Sequence, residues 1–445
     1  MFDTIAAIST ASGVGAISII RISGEDAIDI VNKIFDRDIR SFNSNTINYG
    51  HIVYEDKIID EVLLSVFLAP KTYTKEDIIE INSHGGISVT NKILEILLTN
   101  GVRLAEPGEF TKRAFLNGRI DLLEAESIMD MIEAKTENAR KMAINGINGK
   151  LSLKINNIRD KALDLISNIE VNIDYPEYED IEVMTIEDVK KFSNMLNNEI
   201  DNLLKESENG KIIREGINTV IIGRPNVGKS SLLNRLIEED KAIVTDIPGT
   251  TRDIVEGSIR INGILINFID TAGVRETVDK VEKIGVDKSL SPIEKADLIL
   301  LVLNNNEELT DEDKLLLEKT KDKKRIIVIN KKDLDSKLKI DEEAVYISAE
   351  KNEIQELINK INDLFKIDDI NSGDLTYISN ARDISLLQKA KVSSNNLIDA
   401  IDKSVPIDML EIDIKNIIEY LGEITGQNYD DELIDRLFKN FCLGK

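Results

Sequence analysis

Cysteine is almost absent from this 445-residue chain: Cys442 stands alone, so no internal disulfide can form. Histidine is nearly as scarce. His51 and His84 with one cysteine are too few for a dedicated four-ligand zinc site. No apolar run reaches the roughly 20 residues that cross a bilayer, and residues 1–7 (MFDTIAA) lack the basic stretch that opens a secretory signal. A cytoplasmic protein with no membrane attachment is expected. No GxGxxG dinucleotide loop occurs, so the chain brings no redox machinery of its own. Positive charge is in deficit, 56 Lys and Arg against 81 Asp and Glu, a net charge of −25. That argues against non-specific nucleic-acid binding, which needs a basic face. An RNA would have to meet a local basic patch or a basic partner.

What is present is length enough for about three domains and 42% hydrophobic residues. The most informative stretch is Gly223-Arg224-Pro225-Asn226-Val227-Gly228-Lys229-Ser230, a GxxxxGKS match. Residues 218–222 before it read as a buried strand, and the residues from Ser231 onward open a helix. Such glycines let backbone N–H groups approach phosphates, and the helix N-terminus adds partial positive charge. Lys229 is placed to reach the β- and γ-phosphates, and the Ser230 hydroxyl to bind Mg²⁺.

Three further signals follow in order. Residues 265–269 form an apolar strand ending at Asp270-Thr271-Ala272-Gly273, a carboxylate beside the metal and a glycine beside the γ-phosphate. Thr250-Thr251-Arg252-Asp253 lies between, where a switch threonine completes Mg²⁺ coordination. Strands at 298–303 and 325–329 follow, the second running into Asn330-Lys331-Lys332-Asp333. The Asp333 carboxylate can accept from guanine N1–H and the 2-amino group; adenine offers no such pair. Ser348-Ala349-Glu350, after a strand at 345–347, can back the base with main-chain N–H groups. Any one piece could be a tight turn; four in this order and spacing indicate a GTP site.

The hydrolytic apparatus is less legible. Many GTPases carry glutamine just after the DxxG glycine to orient water, and here that position is Val274. Residues 275–285 offer three carboxylates that either act on water or merely solvate a loop. Arg252 and Arg275 are candidate arginine fingers. Asn226 either helps hold a monovalent cation against the phosphates or only shapes the loop.

Residues 1–117 read as α/β, with strands at 15–22, 62–68 and 77–82 and helices at 24–35 and 87–98. Helical periodicity covers 120–173, stops at an acidic turn over 174–180, and resumes over 185–207. Glu208-Asn209-Gly210 and Asn371-Ser372-Gly373-Asp374 read as boundaries. The expected domains are therefore 1–117, a helical part 118–210, a GTPase domain 211–370, and a second helical part 371–445. The ends of a domain lie close together, so the helical parts should pack as one discontinuous domain with the nucleotide domain inserted.

The flanks carry specific sequences: Arg21-Ile22-Ser23-Gly24, His84-Gly85-Gly86, PGEFTKRAFLN over 107–117, Arg214-Glu215-Gly216, and FCLGK over 441–445. With the central motifs, they make the whole chain resemble the bacterial tRNA-modification GTPases of the MnmE (TrmE) family. The resemblance implies α/β plus all-α architecture: a Ras-like P-loop GTPase domain of the TrmE/Era class inserted into a discontinuous helical domain, after an N-terminal α/β folate-binding and dimerisation domain. It implies a homodimer that works on tRNA with an MnmG (GidA) partner using FAD and NADH. Together they would add a carboxymethylaminomethyl or aminomethyl group at C5 of the wobble uridine, U34. The carbon would come from a tetrahydrofolate derivative (5-formyl- or methylene-tetrahydrofolate). It further implies potassium-stimulated hydrolysis of GTP.

By position, the resemblance assigns K⁺ to Asn226, Thr245, Ile247 and Thr250, and Mg²⁺ to Ser230 and Thr251. Glu282 would orient the attacking water, and Lys229 would act on the phosphates. Nucleotide contacts extend over Asn226, Val227, Gly228, Lys229, Ser230 and Ser231; Thr245, Asp246, Ile247, Pro248, Gly249, Thr250 and Thr251; Asp270, Thr271, Ala272 and Gly273; Asn330, Lys331, Lys332 and Asp333; and Ser348, Ala349 and Glu350. Folate contacts map to Arg21, Glu80, Arg119 and Lys445. Arg119 stands where the family often has lysine, a fork in place of a point charge. Cys442 is either a nucleophile or general acid for uridine chemistry, or a small buried apolar residue. His84 either approaches the folate or is structural. Two other functions compete: an Era- or Der-like regulatory GTPase in ribosome assembly, which these flanks do not match, and a stand-alone one-carbon enzyme, for which redox machinery is missing.

Overall fold

Period-two alternation in the first hundred residues makes strands buried on one face, whereas the continuous apolar runs further on make strands buried on both. The computed structural model describes residues 3–11, 13–174, 185–239, 255–269, 290–429 and 431–444. They fall into two compact units, one of Met1–Met129, Gly146–Leu196 and Lys389–Lys445, the other of Asp130–Asn145 and Asn197–Gln388.

In the first unit six strands, β1 (Ile5–Ile8), β2 (Ile17–Ser23), β3 (Thr46–Tyr54), β4 (Lys57–Phe67), β5 (Ile78–His84) and β6 (Arg103–Leu104), form one sheet. Its order is β3-β4-β5-β2-β1-β6, antiparallel throughout except where β6 joins β1. Ile20, Ile22, Leu64, Val66, Ile79 and Ile81 share the face covered by α1 (Ala27–Asn32) and α2 (Ile87–Thr99), and meet Ile30, Val31, Ile93, Ile96 and Leu97. Each such side chain contributes about 1.5–3 kcal/mol on burial. The residues between point the other way. Arg21 lies opposite Glu80, Glu80 opposite Ser65, and Leu63 opposite both Asn82 and Tyr49. Toward the β1 edge, Phe110 of α3 (Glu109–Leu116) packs on Ile5, Ala7 and Ala105.

The sequence reading found β2, β4 and β5 but not β1, β3 or β6. The β3–β4 hairpin was hidden because its turn uses Glu55 and Asp56 at φ 50° and 59°, a geometry usually announced by Asn-Gly or Asp-Gly.

The expected helical stretch holds α4 (Leu122–Glu133), α5 (Glu137–Ile147) and α6 (Lys150–Asp174). Within the first unit α6 packs along the helix Glu411–Thr425. Leu151, Ile155, Ile158, Ala162, Leu165 and Ile169 are buried on the one, Ile414, Ile417, Leu421 and Ile424 on the other. Helical segments from before and after the nucleotide-binding motifs thus meet, as the inserted arrangement requires. The acidic turn over 174–180 lies, apart from Asp174 at the end of α6, outside the described residues.

One boundary is corrected. Glu208-Asn209-Gly210 lies inside α7 (Ile186–Glu215), which runs unbroken to Glu215. Gly210 is there for close approach, because a Cβ would sit 2.4 Å from the Ile378 carbonyl oxygen. The helix stops at Gly216, whose φ of +82° is the left-handed C-terminal conformation that glycine takes most readily.

The second unit is built on β7 (Ile217–Ile222), β8 (Val255–Ile261), β9 (Ile264–Ile269), β10 (Leu298–Asn304), β11 (Arg325–Asn330) and β12 (Ala344–Tyr346). The order is β12-β11-β10-β7-β9-β8, parallel except for β8 against β9. All seven residues of β10 are buried, as a central parallel strand requires. In such sheets ligands bind beyond the carboxyl ends of the strands. The loops after β7 and β11 carry the two nucleotide motifs.

Candidate functional site

The loop after β7 can turn tightly only because of its glycines. Gly223 has φ +150° and would place a Cβ 2.3 Å from the Val302 carbonyl oxygen; Gly228 has φ +99° and would place one 2.1 Å from Asn330 Nδ2. Asn226 is also left-handed, at φ 64°, and exposed, while Val227 is buried beneath it. Lys229 opens α8 (Lys229–Glu239). Its Nζ donates to the carbonyls of Gly223 and Arg224, each at 2.8 Å. Burial pushes the Lys229 ammonium below its usual range, with Glu312 opposing.

Asn330 joins three motifs. Its Nδ2 donates to the Val227 carbonyl at 3.0 Å, and its Oδ1 accepts from Ala349 N at 3.0 Å. The side chain is 3% exposed, so these bonds form where water cannot compete. Lys331 Nζ donates to the Asn226 carbonyl at 3.0 Å, and Lys332 N to the Ile347 carbonyl at 3.0 Å. Lys332 Nζ pairs with Glu353. Ser348 Oγ donates to Asp333 Oδ1 at 2.7 Å. That bond holds the Asp333 carboxyl below its ordinary range, leaving an anion with lone pairs to present to a base edge. Ser231 and Glu350 are exposed beside these loops.

The remaining nucleotide and metal assignments fall outside the described residues: Thr245, Asp246, Ile247, Pro248, Gly249, Thr250, Thr251, Asp270, Thr271, Ala272, Gly273 and Glu282, with Arg252, Val274 and Arg275. Of the sets read for K⁺ and Mg²⁺, the described residues are Asn226 and Ser230.

A second site lies in the first unit. Arg21, Glu80 and Arg119 line one cavity of about 530 Å³ with Phe67, Lys71, Tyr73 and Lys75. Arg21 Nε donates to Glu80 Oε1 at 2.8 Å, as their opposed register on β2 and β5 dictates. The Arg119 guanidinium lies 4.7 Å from the Tyr73 ring centroid and that of Arg21 5.7 Å, a cation–π geometry. The cavity therefore offers cations, one carboxylate and an aromatic face, a set that fits a flat heterocycle bearing an anionic tail. Lys445 lies outside the described residues, but the Gly444 carbonyl accepts from Arg21 Nη1 at 3.3 Å and from Ser9 Oγ at 3.0 Å.

Sequence reasoning missed Tyr73 and the lysines, which sit on a loop without periodicity. It also gave no role to the polar residues of α3. Arg113 is 1% exposed and pairs with Asp3, Glu76 and Glu109. Thr111 Oγ1 meets Tyr73 OH at 2.9 Å, and Asn117 Nδ2 donates to the Thr74 carbonyl at 2.6 Å. The PGEFTKRAFLN sequence thus fastens the wall of the cavity. A buried arginine among scattered acids leaves no periodic signal.

Cys442 is exposed, which removes its reading as a small buried apolar residue. Its carbonyl accepts from Gly108 N at 3.2 Å. His84 does not line the cavity. It is exposed and paired with Asp60 at 2.7 Å, a bond that raises its pKa.

Known proteins resemble the chain over its whole length. The model for the MnmE helical domain matches residues 122–442, and that for the GTP-binding protein TrmE N-terminus matches 4–119. The tRNA modification GTPase MnmE of Ligilactobacillus salivarius is 52% identical over 100% of this chain and 98% of its own. The chain belongs to the MnmE family. MnmE proteins of Streptococcus agalactiae and Bacillus cytotoxicus are also 52% identical over the whole of this chain, covering 99% and 100% of theirs. Among solved structures, the FeoB G-domain from Methanococcus jannaschii is 25% identical, with a TM-score of 0.24, over 34% of this chain and 98% of that one. The MnmE family membership fixes the fold class: a P-loop GTPase domain with a TrmE-type N-terminal domain and a helical domain.

Proposed function

We propose that this chain is the GTP-hydrolysing subunit of a tRNA-modifying enzyme acting at C5 of the wobble uridine. The observation that carries the nucleotide half is Asn330, which ties the phosphate loop, the base-reading loop and the backing loop into one buried junction. Family membership over the full length carries the tRNA half.

In this reading Asp333 selects guanine, Lys229 and the N-terminus of α8 meet the phosphates, and Ser230 with Thr251 would hold Mg²⁺. Asn226, with Thr245, Ile247 and Thr250, would hold K⁺. These cations would supply positive charge against the β- and γ-phosphates, as an arginine finger does. Glu282 would orient the water that Val274 cannot. The cavity at Arg21, Glu80 and Arg119 would take a tetrahydrofolate derivative: Glu80 accepts from the heterocycle edge, Tyr73 stacks, and the cations, with Lys445, meet the acidic tail. Bound there, the folate would supply the one-carbon unit. Cys442, exposed, is available as nucleophile or general acid. An MnmG-type FAD and NADH protein would supply the redox step.

A homodimer through the N-terminal domain is supported by the open face of its sheet, where Ile17, Ile47, Tyr49 and Leu63 are exposed and Tyr49 lies opposite Leu63. No described helix is long and apolar enough to cross a membrane, consistent with action in the cytoplasm.

The deciding experiment is nucleoside mass spectrometry of tRNA from cells lacking the protein, with rescue by wild type and by Glu282→Ala. Loss of the C5-substituted wobble uridine, restored by wild type and poorly by Glu282→Ala, is expected. Normal wobble uridines in the null strain would end the proposal.

A further inference from the structure

Arg224, the second residue of the phosphate loop, pairs its guanidinium with two carboxylates. Nε donates to Asp313 Oδ1 at 2.9 Å, and Nη2 to Glu307 Oε2 at 2.9 Å. Both acceptors hold a second partner, Asp313 buried and Glu307 half-exposed. Asp313 has a side chain 3% exposed and forms the capping box of the helix Asp311–Lys319 with Thr310. Its Oδ2 accepts from Thr310 N at 3.0 Å and from Thr310 Oγ1 at 2.8 Å. Glu307 Oε1 accepts from Asn304 Nδ2 at 2.6 Å, at the end of β10. The guanidinium is therefore clamped between a buried helix cap and the end of a central strand. Charge-assisted bonds of this kind are stronger than neutral ones and set direction as well as distance.

The clamp matters because of what the same residue does with its backbone. The Arg224 carbonyl and its neighbour at Gly223 hold Lys229 Nζ. Next comes Pro225, whose ring fixes φ. A clamped side chain, a rigid following residue and a glycine pressed on β10 together leave those carbonyls little freedom. Lys229 is placed by Arg224 without contact between the two side chains.

We infer that Arg224 is a positioning residue for nucleotide binding, acting through Lys229: its ion pairs to Asp313 and Glu307 hold the front of the phosphate loop so that the ammonium meets the β- and γ-phosphates. The inference rests on the guanine-nucleotide reading of this loop and adds to it a group outside the motif's recognised consensus positions.

A double-mutant cycle tests it, using the full-length chain and a fluorescent GDP. Arg224→Ala should weaken binding roughly tenfold, the equivalent of about 1.4 kcal/mol. On a Lys229→Ala background, the same change should alter affinity less than about twofold, because coupled residues are non-additive. Arg224→Lys, a point charge that can serve Asp313 or Glu307 but not both, should fall between. Glu307→Gln, which spares the buried Asp313 pair, should weaken binding about threefold with an unchanged melting temperature; it covers the case in which Arg224→Ala folds poorly. Equal losses from Arg224→Ala on both backgrounds, or wild-type affinity in Arg224→Ala and Glu307→Gln, would overturn the inference. A wild-type chain that binds no guanine nucleotide would instead remove the reading beneath it.

Discussion

At the scale of single residues, the base-reading carboxylate gives the sharpest expectation. Asp333 is held as an anion by Ser348. Asp333→Asn replaces an acceptor with a donor, so GTP affinity should fall roughly 10- to 100-fold, equivalent to about 1.5–3 kcal/mol for a bond to a charged group. Xanthine nucleotide, with a carbonyl where guanine has its amine, should gain. Competition binding with GTP and XTP measures both changes, and unchanged preference would remove Asp333 as the selector. The pH dependence has a definite sign. A lowered carboxylate pKa means the reading charge is present above that value and lost only as pH falls through it. Between pH 8 and pH 5, base selection should be flat. At Asn226 the expectation is ionic: hydrolysis in potassium should exceed that in sodium by up to roughly 10³-fold, as for a finger, and Asn226→Ala should abolish the difference. Equal rates in the two salts would refute the cation reading.

At the scale of elements, the packing of α3 and α7 decides outcomes that composition alone would get wrong. Replacing glycine by alanine inside a helix ordinarily stabilises by about 0.5–1 kcal/mol. At Gly210 the new Cβ would meet the Ile378 carbonyl at 2.4 Å, so Gly210→Ala should cost about 1–3 kcal/mol instead. Urea titration checks the sign.

Arg113 on α3 is a buried cation among three acids. Arg113→Met should cost about 3–5 kcal/mol, because Glu76 would lose its compensating charge and Glu109 would keep only that of Arg103. Burial works to raise the Glu109 pKa, but bonds from Arg103, the Glu106 amide and Arg113 outweigh it and lower the value. Its stabilisation is present above the unfolded carboxylate range and lost as pH falls through the folded value. Glu109→Gln should therefore flatten the fall in melting temperature between pH 5 and pH 3.

These same elements show what the sequence made legible. The loops that open at Gly223 and Asn330 were readable because each chemical role there demands one residue type at one spacing. The register of Arg21 on Glu80 could not be read, since it depends on which strands become neighbours. Gly210 was misread because a glycine that ends a helix and one that admits a neighbouring carbonyl look alike in one dimension.

For the whole molecule, the exposed apolar side chains of the N-terminal sheet bear on assembly. Ile47 is 69% exposed and Tyr49 53%, and apolar residues grouped on one open sheet face mark a contact surface. Tyr49→Glu with Leu63→Asp should give a monomer by light scattering at micromolar concentration, and its melting temperature should no longer depend on protein concentration. A dimer that survives both changes would move the interface elsewhere.

The way the first unit is assembled from three stretches of chain has a consequence for biosynthesis. Gly444 presses on Ile8 and Ser9, Asp435 pairs with Lys112, and the Cys442 carbonyl receives the Gly108 amide. These partners are made roughly 310 residues after Met129. At 5–20 residues per second that is a delay of about 15–60 s. Throughout that interval Arg21 waits for the Gly444 carbonyl that accepts from its Nη1 while the intervening stretch is still being made. Translation itself therefore orders the two sites, with the nucleotide loops made before Arg21 receives its partner at Gly444.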